Sequence, residues 1–170
     1  MALFLAYLDT RLEFGFAHSL IAIAGHLQKK FETADSVEAE YSDGTREVVE
    51  LVADSLYPDF SVYKGSKGPL DFLHASSPDE GQDAFVFRFP SADATIPLLS
   101  TGVVSHTGLT RTISAPADVG RNGGPCMNCY GQFFGLVTGG EGETTKSLVF
   151  ENATLLLSFL AKNGLPLLSG

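Results

Sequence analysis

Apolar positions recur with two different periods along this 170-residue chain. Between Ala17 and Phe31, the residues Leu20, Ile21, Ala24, Leu27 and Phe31 fall at helical spacing and predict an amphipathic helix with one apolar face. Lys29 and Lys30 sit in its last turn, where cations suit the helix dipole. Ahead of it, residues 2–8 and 11–16 read as short strands or one hairpin around Asp9-Thr10. Val37 to Tyr41 alternates apolar and acidic, as a strand with one wet face does. Ser42-Asp43-Gly44-Thr45 is a turn signal. Residues 46–53 fit either a second hairpin strand, on the adjacent Val48 and Val49, or a helix burying Val48, Val49, Val52 and Leu56. The helix is favoured, because a two-residue hairpin loop would set Glu40 opposite Glu47, and like charges in that position destabilise a pair.

Beyond Pro58 the pattern changes to period two. Strands are expected at 59–63, 84–89, 94–99, 102–106, 109–113, 131–138 and 146–150. In the clearest of them, Phe85, Phe87 and Phe89 share one face. Long loops are expected at 64–83 and 114–130. A closing helix runs from Asn152 to Lys162 with Leu155, Leu156, Phe159 and Leu160 on its apolar face. Asn152 is its cap, and Gly164 and Pro166 stop it. With no linker and no repeat, residues 1–170 read as a single α+β domain. It has a mostly antiparallel sheet, an N-terminal amphipathic helix and a C-terminal helix packed on the sheet.

Charge divides the chain. Residues 32–59 hold nine acids (Glu32, Asp35, Glu38, Glu40, Asp43, Glu47, Glu50, Asp54 and Asp59) against the single base Arg46, which is -8 of the net -9. A carboxylate run of this kind usually means a solvated face. It lacks the spacing of a calcium loop. Nucleic-acid affinity needs clustered Lys and Arg, and the bases here are scattered apart from Lys29-Lys30. Direct nucleic-acid binding is therefore disfavoured. No basic start precedes the apolar residues 2–8, and no apolar run is long enough to cross a bilayer. The expectation is a cytoplasmic or virion location without a membrane. Charged residues make up only 18% of the chain, below the roughly 25% usual for soluble domains. That shortage favours a surface partly covered by other copies, hence a homo-oligomer.

Candidate chemistry centres on Gly123-Gly124-Pro125-Cys126-Met127-Asn128-Cys129. The Cys126/Cys129 spacing suits one edge of a zinc tetrahedron or a redox dithiol. Two further zinc ligands would have to come from His18, His26, His74 and His106, none of which forms a matched pair in sequence. Gly139 to Ser147 superficially resembles a phosphate-binding loop, but Thr145 stands where glycine must precede the lysine, and Glu141 and Glu143 repel phosphate. Lys64-Gly65-Ser66-Lys67-Gly68 offers two lysines to one anion at most. Ser105-His106 does not make a triad, and no G-x-S-x-G elbow occurs.

The pattern therefore favours a non-catalytic structural or assembly subunit, of the shell, coat or virion type. The alternative is a metal- or redox-dependent protein using Cys126 and Cys129. A small-ligand barrel is a third possibility.

Overall fold

The computed structural model describes residues 6–8, 19–30, 32, 35–41, 44–66, 75–88, 98–115, 123–140 and 147–165. The first sheet holds β1 (Ala6–Leu8), β2 (Ser19–Ala24), β3 (Val37–Glu40), β4 (Arg46–Leu56) and β5 (Asp59–Gly65). All neighbours are antiparallel, in the order β1-β2-β5-β4-β3. A 3-10 turn, Gly25–Lys30, follows β2. The second unit is a closed barrel of β6 (Asp83–Arg88), β7 (Leu98–His106), β8 (Thr112–Ser114), β9 (Pro125–Met127), β10 (Phe133–Gly140) and β11 (Ser147–Asn152), ordered β10-β11-β8-β7-β6-β9. The chain closes with α1 (Ala153–Lys162).

The expected α+β class gives way to a mostly β fold, and the N-terminal amphipathic helix is replaced by a strand and a 3-10 turn. The cause lies in the uninterrupted apolar run. Leu20, Ile21, Ala22, Ile23 and Ala24 are all buried. Leu20 and Ala22 enter one core, and Ile21 and Ile23 enter another. A strand covered on both faces is apolar at every position, so the helical spacing within it is a by-product. Residues 11–16, read as a strand, lie outside the described residues.

Residues 46–53 are strand, not helix. The like-charge objection fails because the register is shifted by one residue: Glu40 faces Arg46, and Glu47 faces Ala39. Arg46 Nη2 lies 2.7 Å from Glu40 Oε2. Tyr41 N donates to Thr45 O at 2.9 Å, and Gly44 adopts φ 80°. That is the left-handed residue a three-residue hairpin loop requires. The acidic run is thus largely the β3–β4 hairpin, and Glu47 is held by Tyr41 Oη, Ser66 N and Ser66 Oγ.

After Pro58 the expected strands appear at β5 of the first sheet and at β6, β7, β8, β10 and β11 of the barrel, with shifted ends; residues 94–97 lie outside the described residues. The Phe face of β6 is not the core face. Ala84 and Val86 are fully buried, while Phe85 and Phe87 are half-buried. The interior is already filled by Val104, Ile113, Leu148, Phe134 and Phe150, the last two in an edge-to-face pair with centroids 5.4 Å apart. A six-strand barrel leaves little room for more rings.

Helix α1 begins where expected. Asn152 caps it, its side chain accepting from Thr154 N at 2.6 Å. Its apolar residues Leu156, Phe159 and Leu160 join Leu20, Ala22 and Phe60 of the first sheet and Phe133 and Leu136 of the barrel. This shared core fastens the two units together. Burying three such side chains contributes on the order of 5 kcal/mol or more. Among the described residues no helix is long and apolar enough to cross a membrane.

Candidate active site

The junction of sheet and barrel carries the chain's most specific polar arrangement. Strand β2 ends at Ala24, and the chain turns sharply through Gly25 into the 3-10 turn. A Cβ on Gly25 would overlap Ser55 O and come within 2.8 Å of Phe60 N. Only glycine lets the turn lie against β4 and β5. Gly25 O accepts Ser61 Oγ at 3.5 Å, and Ser61 is fully buried. Tyr63 Oη donates to Gln28 Oε1, tying the same turn to β5. Burial, then the charge of Asp54, raises the Tyr63 pKa to about 12, so this donor stays protonated.

The turn presents His26 to Asp59, the first residue of β5. His26 N donates to Asp59 Oδ1 at 2.6 Å, and His26 Nδ1 lies 2.7 Å from Oδ2. One carboxylate thus grips the residue at backbone and ring together. The His26 side chain is 37% exposed and that of Asp59 18%. An imidazole with Nδ1–H held by a recessed carboxylate keeps its Nε2 lone pair for taking a proton, which is the base half of a nucleophile–base–orienter relay.

A second carboxylate stands behind this pair. Glu151, the penultimate residue of β11, is partly buried near enough to Asp59 to feel its charge and its backbone N–H. Arg111 Nη1 lies 3.8 Å from Glu151 Oε2. Burial raises the Glu151 pKa; Arg111 and the Asp59 N–H oppose that shift, and the Asp59 charge adds to it.

The residues singled out from sequence fare differently. Cys126, on β9, is fully buried, and burial pushes its thiol pKa far up. Metal ligation and redox attack need the thiolate, so this environment opposes both. Cys129 is exposed in the following turn. Among the described residues no three of His, Cys, Asp and Glu cluster as a metal site. His106 meets Glu80, at 3.3 Å from Nδ1 to Oε1, while His18 and His74 lie outside the described residues. Residues 141–146 of the Gly139–Ser147 stretch and Lys67 lie outside them too. The sequence had offered His26 only as one of four zinc candidates and Asp59 only as one acid of a run. The available signal was a histidine straight after a glycine at the end of a buried apolar strand, and an aspartate opening a later apolar strand.

The chain thus combines a five-strand sheet, a closed six-strand barrel and a His26–Asp59 pair on the turn that follows β2. The chain belongs to the trypsin-like peptidase domain family, whose model matches residues 17–136 and so well over half of the chain. The solved structures that match include an HtrA-type protease, AlgW, with a decapeptide. That match has a TM-score of 0.73 at 16% identity and covers 85% of this chain. This chain spans 48% of the AlgW chain. No curated protein matches the chain in sequence. The family assignment overturns the expectation of a non-enzymatic shell, coat or virion subunit.

One departure stands out. In trypsin-type triads the chain order is His, Asp, Ser, and the oxyanion donors are the N–H groups of a glycine and, two residues on, of the nucleophile. No Gly-x-Ser occurs after Asp59, and residues 115–146 contain no serine. Gly120-Arg121-Asn122 has the Gly-x-nucleophile spacing and ends with asparagine. It immediately precedes Gly123 and Gly124, whose backbones pair with Val137 on β10 at 2.7 and 2.9 Å. The adjacent Leu136 packs in the core that holds Phe60, next to Asp59.

Proposed function

We propose that this chain is a peptidase domain that binds an extended peptide at the junction and hydrolyses it slowly, with His26 as general base. The pairing of His26 with Asp59 carries the reading. With Asn122 at the spacing of the nucleophile, water is the attacking group. Its oxygen adds to the scissile carbonyl as its proton passes to His26; the tetrahedral intermediate then expels the amine, which takes the proton from His26. An amide side chain does not replace a serine as nucleophile, so hydrolysis is far slower than with an intact triad, and the His26 base supplies about 10²- to 10⁴-fold of what remains. The decapeptide named with the similar AlgW structure supports a peptide as the ligand.

Self-association of copies belongs to the same reading. Leu99 and Val103 are exposed on one face of β7 and supply apolar surface for it. Light scattering across a concentration series checks this, and a monomer throughout removes it.

The function is tested by incubating an unstructured protein such as casein with the wild type and with His26→Ala, and following fragments by mass spectrometry. Slow cleavage that disappears in His26→Ala supports the proposal. Equal fragment yields from the two proteins overturn it.

A further inference from the structure

Asp59 fixes which nitrogen of His26 meets an incoming group. Its Oδ2 lies 2.7 Å from Nδ1, and its Oδ1 takes the His26 backbone N–H at 2.6 Å. The ring proton therefore sits on Nδ1 and the lone pair on Nε2. That nitrogen points away from Asp59, on a side chain that is 37% exposed. In a serine-type relay a hydroxyl stands between this nitrogen and the substrate and makes the attack. Here the hydroxyls around the turn are engaged elsewhere. Ser61 is fully buried and donates to Gly25 O at 3.5 Å, Ser55 Oγ accepts Tyr57 N at 3.0 Å, and Tyr63 donates to Gln28. Position 122 supplies an amide, whose nitrogen lone pair is delocalised and is no nucleophile.

Neutral imidazole is a nucleophile in its own right. We propose that His26 is the covalent nucleophile of a second activity of this site: hydrolysis of activated acyl compounds, of the aryl ester class, through an acyl-imidazole. The activity rests on the same His26–Asp59 pair as the peptidase reading. The Nε2 lone pair adds to the ester carbonyl, and the bond to the aryl oxygen breaks. The aryloxide leaves with that bond's electrons, and the acyl group stays on Nε2. The ring is now cationic, and the Asp59 carboxylate beside Nδ1–H stabilises it, as it stabilises an imidazolium. Water then adds to the acyl carbon, and the acyl–nitrogen bond breaks with its electron pair returning to Nε2. One water proton stays with the carboxylic acid and the other goes to solvent. The leaving group divides the two activities. From the adduct of a peptide bond imidazole leaves before the amine, so the adduct reverts and peptides need water with His26 as base. An aryloxide leaves before imidazole, so the acyl group is transferred.

His106 is an internal control. Its side chain is 58% exposed, more than that of His26, and its Nδ1 lies 3.3 Å from Glu80 Oε1. Reactivity governed by exposure alone would acylate His106 first. The test uses p-nitrophenyl acetate on the full chain carrying Cys129→Ser, which removes the exposed thiol. Release of p-nitrophenolate is followed by absorbance, and acid-quenched samples are mapped by mass spectrometry. The expected result is an acetyl group on the His26 peptide in excess of the His106 peptide, with release lost in His26→Ala. The first turnover is expected to run equally fast in heavy water, because no proton moves as imidazole adds. If His26→Ala fails to fold, the site of acetylation and the heavy-water comparison decide on the parent chain alone. Acetylation of His106 equal to or above that of His26 overturns the proposal. Release that depends on His26 but slows in heavy water and leaves no adduct also overturns it, since the imidazole is then a base only. That outcome leaves the peptidase reading standing, whereas acetylated His26 with uncleaved casein removes the peptidase reading and keeps this one.

Discussion

Asp59 holds His26 twice, with one oxygen on the backbone N–H and the other 2.7 Å from the ring Nδ1. The double grip leaves the ring one orientation and one tautomer. An amide at position 59 would present an N–H or a single acceptor and lose that selection. In an Asn122→Ser background, where turnover has range to fall, Asp59→Asn should lower kcat on a peptide substrate by roughly 10³- to 10⁴-fold. Circular dichroism should be unchanged. A fall of less than tenfold would mean that the carboxylate does not orient the base.

Gly25 carries a prediction for stability. A Cβ there meets the backbone of Ser55 and Phe60, which cannot move aside as a side-chain tip can. Gly25→Ala should cost about 1–3 kcal/mol in denaturant unfolding, the range for overpacking. It should also loosen His26, the next residue. A variant as stable as wild type would show that the turn has room that the structure does not.

The two cysteines should separate cleanly. Burial holds the Cys126 thiol protonated, and Cys129 is exposed. A thiol reagent at neutral pH should modify one cysteine in the native protein and two after unfolding, with peptide mapping placing the first at Cys129. Rapid native labelling of Cys126 would contradict its burial.

Glu151 gives a pH dependence with a definite sign. Its folded-state pKa is raised, chiefly by burial. Between the ordinary carboxylate value and the raised one, the folded state binds more protons than the unfolded state, so this group's contribution to stability falls as pH rises through that interval. Unfolding free energies measured from about pH 4 to about pH 7 should fall less steeply, or rise more steeply, in Glu151→Gln than in wild type. An unchanged slope would place the shift elsewhere.

Much of the β architecture was legible in the chain. The period-two strands after Pro58 and the capped closing helix follow from local chemistry, since a half-buried strand and an Asn N-cap each leave a local signature. The run Leu20–Ala24 was not legible, because burial on both faces erases periodicity and leaves helix and strand equally well matched. The 46–53 strand was misread through one residue of register, which set Glu40 against Glu47 instead of Arg46. His26 and Asp59 are 33 residues apart, and their pairing depends on the β2–β5 alignment, which no local pattern encodes. The Cys126/Cys129 spacing was the most conspicuous motif, yet it records a strand and turn in which one thiol faces the barrel core.

The central claim is that His26, held by Asp59, is a working base in a chain whose Asn122 stands at the sequence spacing of the nucleophile. Its most direct test is the rate at which a fluorophosphonate modifies Asn122→Ser at position 122, compared with the same rate in Asn122→Ser/His26→Ala. The account predicts that removing the imidazole slows modification by at least about 100-fold, the lower end for a general base. Equal rates in the two proteins would contradict it.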